Sequence, residues 1–196
     1  MKTVNKIICS VAAVIGLVTG GTAIYSDELI KPVGQVAIEG QSLGELRISP
    51  KALEITGNTE GCRLDPYNCP SGLVTNGIGN AHDVPPKPVS IEQVAKDWVK
   101  NLQEAERCVS KAESISGKAM SQGQFDAFVS FSFNTGCSRF MRNQNGTLTR
   151  IYSYAIAGDY HAACDELPRW VYGGGKKLPG LVNRRGLEHA RCMEVG

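Results

Sequence analysis

At 196 residues, with 42% hydrophobic and 20% charged side chains, the chain is long enough for one domain with a buried core plus a short appendage, and too apolar to be disordered. Its 21 Lys and Arg against 19 Asp and Glu leave a net charge of only +2 with no dense basic block, which argues against nucleic acid as a partner. Seven cysteines, at 9, 62, 69, 108, 137, 164 and 192, avoid zinc-like CxxC spacing and point to disulfides in an oxidising compartment, and the odd count leaves one thiol beyond three bridges.

Residues 7–26 carry no charged side chain; Lys2 and Lys6 precede them and Asp27 and Glu28 follow. A positive flank, an apolar run and an acidic flank describe an exported segment with its N-terminus in the cytoplasm. The run is just long enough to span a bilayer as a helix, but Ser10, Gly16, Thr19, Gly20, Gly21 and Thr22 dilute its apolar residues. Three readings stand: a signal peptide cleaved near Gly21-Thr22-Ala23, a permanent anchor, or a signal anchor that is later released. Cys9 favours the third, because a thiol in the membrane until release could act as a trigger.

Residues 27–48 show no clear periodicity and read as a linker or lead-in. Ser49-Pro50 is an N-cap followed by Pro at the first helical position, opening a helix to about Glu60. Residues 62–80, rich in Gly, Pro and Asn with β-branched residues between, read as short hairpin strands. Ser90-Ile91-Glu92-Gln93 is a capping box, followed at helical spacing by Ile91, Val94, Ala95, Trp98, Leu102 and Ala105. Ser121–Gln124 opens a second helix, the 148–156 run ends a third at Gly158, and 159–166 and 182–192 supply two more, with Gly173-Gly174-Gly175 and Pro179-Gly180 in the loop between. The fold class is α+β, a small β-hairpin lobe beside a larger helical lobe with a cleft between, preceded by an N-terminal hydrophobic helix.

Chemistry concentrates in 60–79. Glu60 ends a helix, Cys69 follows at i+9 and Thr75 at i+15, and Cys62 lies close enough to lock Cys69. A carboxyl in a dry site can hold a proton for a leaving group, and glycoside hydrolysis needs that acid plus a second group that places water. A thiolate at Cys69 could be that second group. Plainer readings stand beside these. Glu60 alone is a surface residue, Thr75 a strand residue, and Cys62–Cys69 a permanent staple. A metal site from Cys62, Cys69 and His82 lacks ligand spacing, and no metal or cofactor is expected. His82 and His161 read as surface residues. Trp170, Val171 and Tyr172 line a sugar cleft or merely pack, and Arg184 and Arg185 face an anionic wall polymer or form a solvated helix face.

The frame Glu60-x8-Cys69-x5-Thr75, within Glu-Gly-x-Arg-Leu…Tyr…Gly-x-x-Thr-x-Gly-x-Gly, resembles the T4-type phage lysozymes, glycoside hydrolase family 24. Cys69 stands where that family usually has Asp, and Asn80 where a His often follows the last Gly. The cysteine-bearing frame with its weak N-terminal helix is most similar to the signal-anchor-release endolysins among them. The likeness extends through Asp97-Trp98, Ala105–Cys108, Phe133-Asn134-x-Gly136-Cys137 and Leu178–Leu181 to Arg184-Arg185.

The resemblance implies a muramidase that cleaves peptidoglycan between N-acetylmuramic acid and N-acetylglucosamine for host lysis, with Glu60, Cys69 and Thr75 catalytic. It implies a monomer whose segment 1–26 tethers it, through 7–26, to the periplasmic face of the host inner membrane. Residues 27–48 would be a lead-in and 49–196 the catalytic domain. Host secretion and disulfide-forming machinery would deliver it with Cys62–Cys69 bridged. Holin-type depolarisation would release it to the periplasm, where Cys9 attacks Cys62 and frees Cys69. Of the four remaining cysteines, order along the helices suggests Cys108 with Cys137 and Cys164 with Cys192; sequence alone does not fix connectivity. The competing class is a non-catalytic, membrane-tethered wall-binding protein.

Overall fold

The computed structural model describes residues 6–21, 27–68 and 72–194. The fold is α+β, with three two-stranded antiparallel hairpins beside a larger helical part. At its centre lies α3 (Ile91–Ser116), started by the Ser90 side chain accepting from the Gln93 N–H and ended by Gly117 in the left-handed conformation. Its face of Val94, Ala95, Trp98, Val99, Leu102, Ala105, Val109 and Ala112 is fully buried, the stripe that 3.6-residue periodicity demands.

On α3 pack α4 (Gln122–Thr135) and α6 (Arg150–Ala157); α5 (Cys137–Met141) lies between these two, α7 (Tyr160–Glu166) packs on α6, and α8 (Pro179–Cys192) packs on α4 and α7. Ser121 and Gln124 form a full capping box on α4. Disulfides join α3 to α5 through Cys108–Cys137 and α7 to α8 through Cys164–Cys192. The five residues of α5 are too few to show the periodicity that marks the longer helices.

Residues 27–48 are not an irregular lead-in. They contain β1 (Gly34–Ile38) and β2 (Gln41–Leu46), paired antiparallel with a bulge at Val36/Ala37. Val36, Ile38, Leu46 and Ile48 are core residues. Alternation was hidden because the bulge shifts the period and Gly34, Gly40 and Gly44 all occupy positive φ. A shorter hairpin, β5 (Tyr172–Gly173) with β6 (Lys176–Lys177), turns over the glycine run expected as loop.

The N-terminal segment lies on the body of the domain. Helix α1 (Val11–Val18) buries Val14, Ile15 and Val18 against α3, α2 (Pro50–Glu60) and β1. Each such side chain is worth up to about 1.5–3 kcal/mol when taken from water. Where α1 crosses α2, a Cβ on Gly57 would stand 2.6 Å from Val11 Cγ1, so the absence of a side chain at Gly57 permits the approach. No helix of the described residues is long and apolar enough to cross a membrane; residues 22–26 of the expected span lie outside them.

Two buried carboxylates fix where α2 begins. Asp126 accepts from the Ser49 N–H at 2.9 Å and from its hydroxyl, and takes Arg191 Nη2 at 2.7 Å. Glu106 accepts from the Ile48 N–H at 2.6 Å. Burial pushes the Glu106 carboxyl up to about 7, against the opposing pull of the Ile48 N–H. The folded state therefore binds a proton that the unfolded state releases near pH 4.5. This contribution is complete below the unfolded value and lost as pH rises to about 7. In urea titrations, Glu106→Gln, which keeps the acceptor for Ile48, should flatten that decline, which is on the order of 2–3 kcal/mol.

Candidate active site

Helix α2 delivers Glu60 to its own end. Gly61, at φ 73°, breaks the helix while its N–H still bonds the Gly57 carbonyl. The Glu60 side chain is 21% exposed and ion-paired to Arg184, whose Nη1 donates to Oε1; Asn134 Nδ2 approaches the same oxygen at 3.4 Å. Arg184 and Arg185 face neither a wall polymer nor solvent, being 2% and 1% exposed. Arg184 donates Nε to Glu188 Oε1 at 2.9 Å and Nη2 to the Ser130 carbonyl at 2.9 Å. Arg185 donates to Glu188 Oε2, to Asn134 Oδ1 and to the Trp170 carbonyl, and lies over the Phe131 ring. Their hidden environment has a simple cause: Glu188, with no exposure, follows at i+4 and i+3 and takes both guanidinium groups into the core. Burial lowers the Arg185 pKa, with the Glu188 charge opposing.

Strands β3 (Arg63–Asn68) and β4 (Val74–Gly77) follow Glu60 and pair antiparallel, with Tyr67 opposite Thr75 and Arg63 opposite Gly77. Thr75 is buried and its hydroxyl donates to the Leu73 carbonyl at 3.2 Å. Cys69 lies outside the described residues. Beyond β4 the chain closes a tight loop: Asn76 and Asn80 exchange both backbone hydrogen bonds, and Asn80 Nδ2 donates to Asn76 Oδ1. Asn80 Oδ1 accepts from Asn101 Nδ2 at 3.1 Å, tying the loop to α3. So anchored, the loop sets Gly79, at φ 68°, against the Glu60 carboxylate. A Cβ there would stand 3.2 Å from Oε2. Beside it opens a cavity of about 180 Å³ bordered by Gly79, Ala81, His82, Asn101 and Phe133.

The other side of β3 carries the N-terminus. Ile8 bridges to Arg63, the Leu64 N–H donates to the Ile7 carbonyl at 2.8 Å, and the Cys9 N–H to the Cys62 carbonyl at 3.2 Å. The Ile7 N–H donates to Asp65 Oδ1 at 2.7 Å. The Arg63 guanidinium, assisted by this N–H, holds the Asp65 carboxyl down at about 2. Cys9 and Cys62 are joined by a disulfide with Cα atoms 5.1 Å apart. Cys62 is thereby unavailable to Cys69. Among the described residues no group of three or more His, Cys, Asp or Glu could hold a metal ion.

The phage lysozyme family profile matches residues 57–188, which include Glu60, the β3–β4 hairpin, Asn134 and Arg184. The chain belongs to the phage lysozyme family. Among its relatives, the SAR-endolysin of Haemophilus phage HP1 is 36% identical over 193 residues, 95% of each chain. The SAR-endolysin of Escherichia phage P1 is 39% identical over 160 residues, 76% of this chain and 83% of the relative. The fold superposes on the active form of the P1 phage endolysin Lyz with a TM-score of 0.74 at 34% identity, covering 96% of both chains. The secreted inactive form of that endolysin matches at 0.54 and 37% identity, over 75% of this chain and 96% of the other.

Within this phage lysozyme, several residues around Glu60 escaped the sequence reading. Asn134 stands in a matching motif without a role of its own, Arg184 reads as a wall-facing or solvated cation, and Ser130 and Glu188 carry no motif. Arg184-Arg185 followed by Glu188 was the available signal, since the spacing puts both cations over one acid on a helix. Trp170 is half-buried, its ring edge-on to Phe131 at 5.1 Å, rather than committed to the cleft. Gly79→Ala should unfold at lower temperature by the equivalent of about 1–3 kcal/mol, from the strained φ. It should also push the Glu60 carboxylate from its place, which a crystal structure of the variant would read directly.

Proposed function

We propose that this phage lysozyme is a muramidase that hydrolyses the β-1,4 bond between N-acetylmuramic acid and N-acetylglucosamine in peptidoglycan. Glu60 is the general acid that protonates the leaving oxygen, and Cys69 and Thr75 act on the opposite side of the sugar to hold and direct water. The observation that carries the reading is the Glu60 carboxylate. It is fixed by Arg184 and Asn134 and faced by the side-chain-free Gly79 at the edge of an open cavity. A fixed carboxyl beside a space with no obstructing Cβ suits in-place proton delivery, because orientation is prepaid.

The activity is gated by disulfide exchange. In the tethered protein Cys62–Cys69 is bridged, with residues 7–26 in the host inner membrane. After depolarisation releases the segment to the periplasm, the Cys9 thiolate attacks Cys62 Sγ. The Cys9–Cys62 bond forms as Cys62–Cys69 breaks, and Cys69 leaves as a thiolate with no net oxidation. The Cys9–Cys62 bridge and the fuller superposition on the active than on the inactive P1 endolysin support this order.

Purified full-length Glu60→Gln should keep its circular dichroism spectrum yet lyse permeabilised Gram-negative cells at least roughly 10²-fold more slowly. Normal lysis by that variant would remove Glu60 from the mechanism. In the cysteine series, Cys62→Ser should lyse without membrane release, Cys69→Ser should be dead in every redox state, and Cys9→Ser should insert but fail to activate. Disulfide mapping by mass spectrometry before and after release checks the exchange itself.

A further inference from the structure

Residues 7–9 lie along β3 in a defined register. Ile8 bridges to Arg63, so Ile7 stands opposite Leu64 and Cys9 opposite Cys62. In a regular antiparallel ladder, opposed residues alternate between exchanging both backbone hydrogen bonds and exchanging none. Ile7 and Leu64 occupy an exchanging position, and half of the exchange is made: the Leu64 N–H donates to the Ile7 carbonyl at 2.8 Å. The Leu64 carbonyl, which would accept the other half, is engaged by the Val89 N–H at 3.1 Å. The Ile7 N–H goes instead to Asp65 Oδ1 at 2.7 Å. A side-chain carboxylate thus stands in for the ladder carbonyl that Val89 has taken.

Asp65 is held for that role by its own strand. It is 3% exposed, and Arg63 donates Nε to both of its oxygens at 3.0 Å and Nη2 to Oδ2. The Arg63 guanidinium in turn lies over the Tyr67 ring, 4.7 Å from its centroid. One N–H from the N-terminal segment completes the set, and a hydrogen bond to a charged acceptor is stronger than one to a neutral carbonyl. Register matters here because a slip of one residue turns every side chain of a strand to the opposite face. Cys9 would then point away from Cys62. We propose that Asp65 is a positioning residue of the disulfide exchange: by capturing the Ile7 N–H it sets the register in which the Cys9 thiolate meets Cys62 Sγ rather than Cys69 Sγ. The inference rests on the exchange reading above. Attack at Cys62 forms Cys9–Cys62 and expels the Cys69 thiolate. Attack at Cys69 forms Cys9–Cys69, expels the Cys62 thiolate and leaves Cys69 bound. Neither changes the number of thiols or disulfides, so the choice between them is one of placement.

The test compares the full-length parent with Asp65→Ala and Ile7→Pro. Ile7→Pro removes the donor and keeps the Arg63–Asp65 pair, so it decides the matter even if Asp65→Ala folds poorly. Cells holding each protein in the tethered form are depolarised with an uncoupler, quenched at intervals with an alkylating agent and mapped by mass spectrometry. The parent should form Cys9–Cys62. Both variants should form it at least about tenfold more slowly, the loss expected for one charge-assisted hydrogen bond, and with a larger share of Cys9–Cys69. Asp65→Asn, which keeps Oδ1, should recover part of the rate. Dithiothreitol, which needs no register, should open Cys62–Cys69 equally fast in all four proteins. A parental rate and product ratio in Ile7→Pro would overturn the inference, as would a slowing matched by an equal slowing toward dithiothreitol. If the parent never exchanges, the gating reading fails, and hydrogen exchange still decides the docking. In Cys9→Ser/Cys62→Ser protein the Leu64 amide should be protected and should lose that protection on adding Ile7→Pro; equal protection in both would sink the role of Asp65.

Discussion

Glu188 is the charge on which the neighbourhood of Glu60 depends. It is completely buried, and it takes one guanidinium on each carboxylate oxygen, Arg184 and Arg185. Two cations against one buried anion would leave excess charge in a poorly solvated place. The excess is balanced by Glu60, which Arg184 reaches from the other side. Arg185 spends its remaining donors on Asn134 and on the Trp170 carbonyl, so one acid organises the carboxylate, the amide beside it and the turn that carries the indole.

Helix α2 links that cluster to a second one. Its first turn is held by Asp126, which Arg191 neutralises, and its last residue is held by Arg184; both arginines belong to α8. The eleven residues of α2 are therefore held at the start by Asp126 of α4, itself paired to α8, and at the end by α8 directly. Sliding or tilting α2 would break the buried Ser49–Asp126 hydrogen bonds at one end and the Glu60–Arg184 ion pair at the other, and leaving a buried charge without its partner costs several kcal/mol. The position of Glu60 is set this way as well as by the hairpin that follows it.

Much of this organisation was legible in the chain. Ser49-Pro50, Ser90 and Ser121 marked helix starts because a capping hydroxyl acts within three residues of itself. The Glu60, Thr75 and glycine spacing marked a candidate site for the same local reason. What was not legible depended on distant partners. Arg184 and Arg185 read as surface cations because nothing local reports that Glu188 and Glu60 will meet them. The β1–β2 hairpin was hidden by a bulge and three positive-φ glycines. The glycine requirement at residue 57 comes from Val11, forty-six positions earlier in sequence, and no pattern within a helix could announce it.

Residues 7–18 do two jobs here with one stretch of chain. Ile7 to Cys9 lie along β3 through the Ile8–Arg63 bridge, and Val14, Ile15 and Val18 fill the core over α2 and α3. A single polypeptide has a single copy of this stretch, so moving the whole of it elsewhere removes both sets of contacts. Wherever else that copy resides, the domain lacks the bridge to β3 and part of its interior at once. The protein thus carries an internal record of where its own beginning is, written as the presence or absence of packing beside the hairpin that holds Thr75.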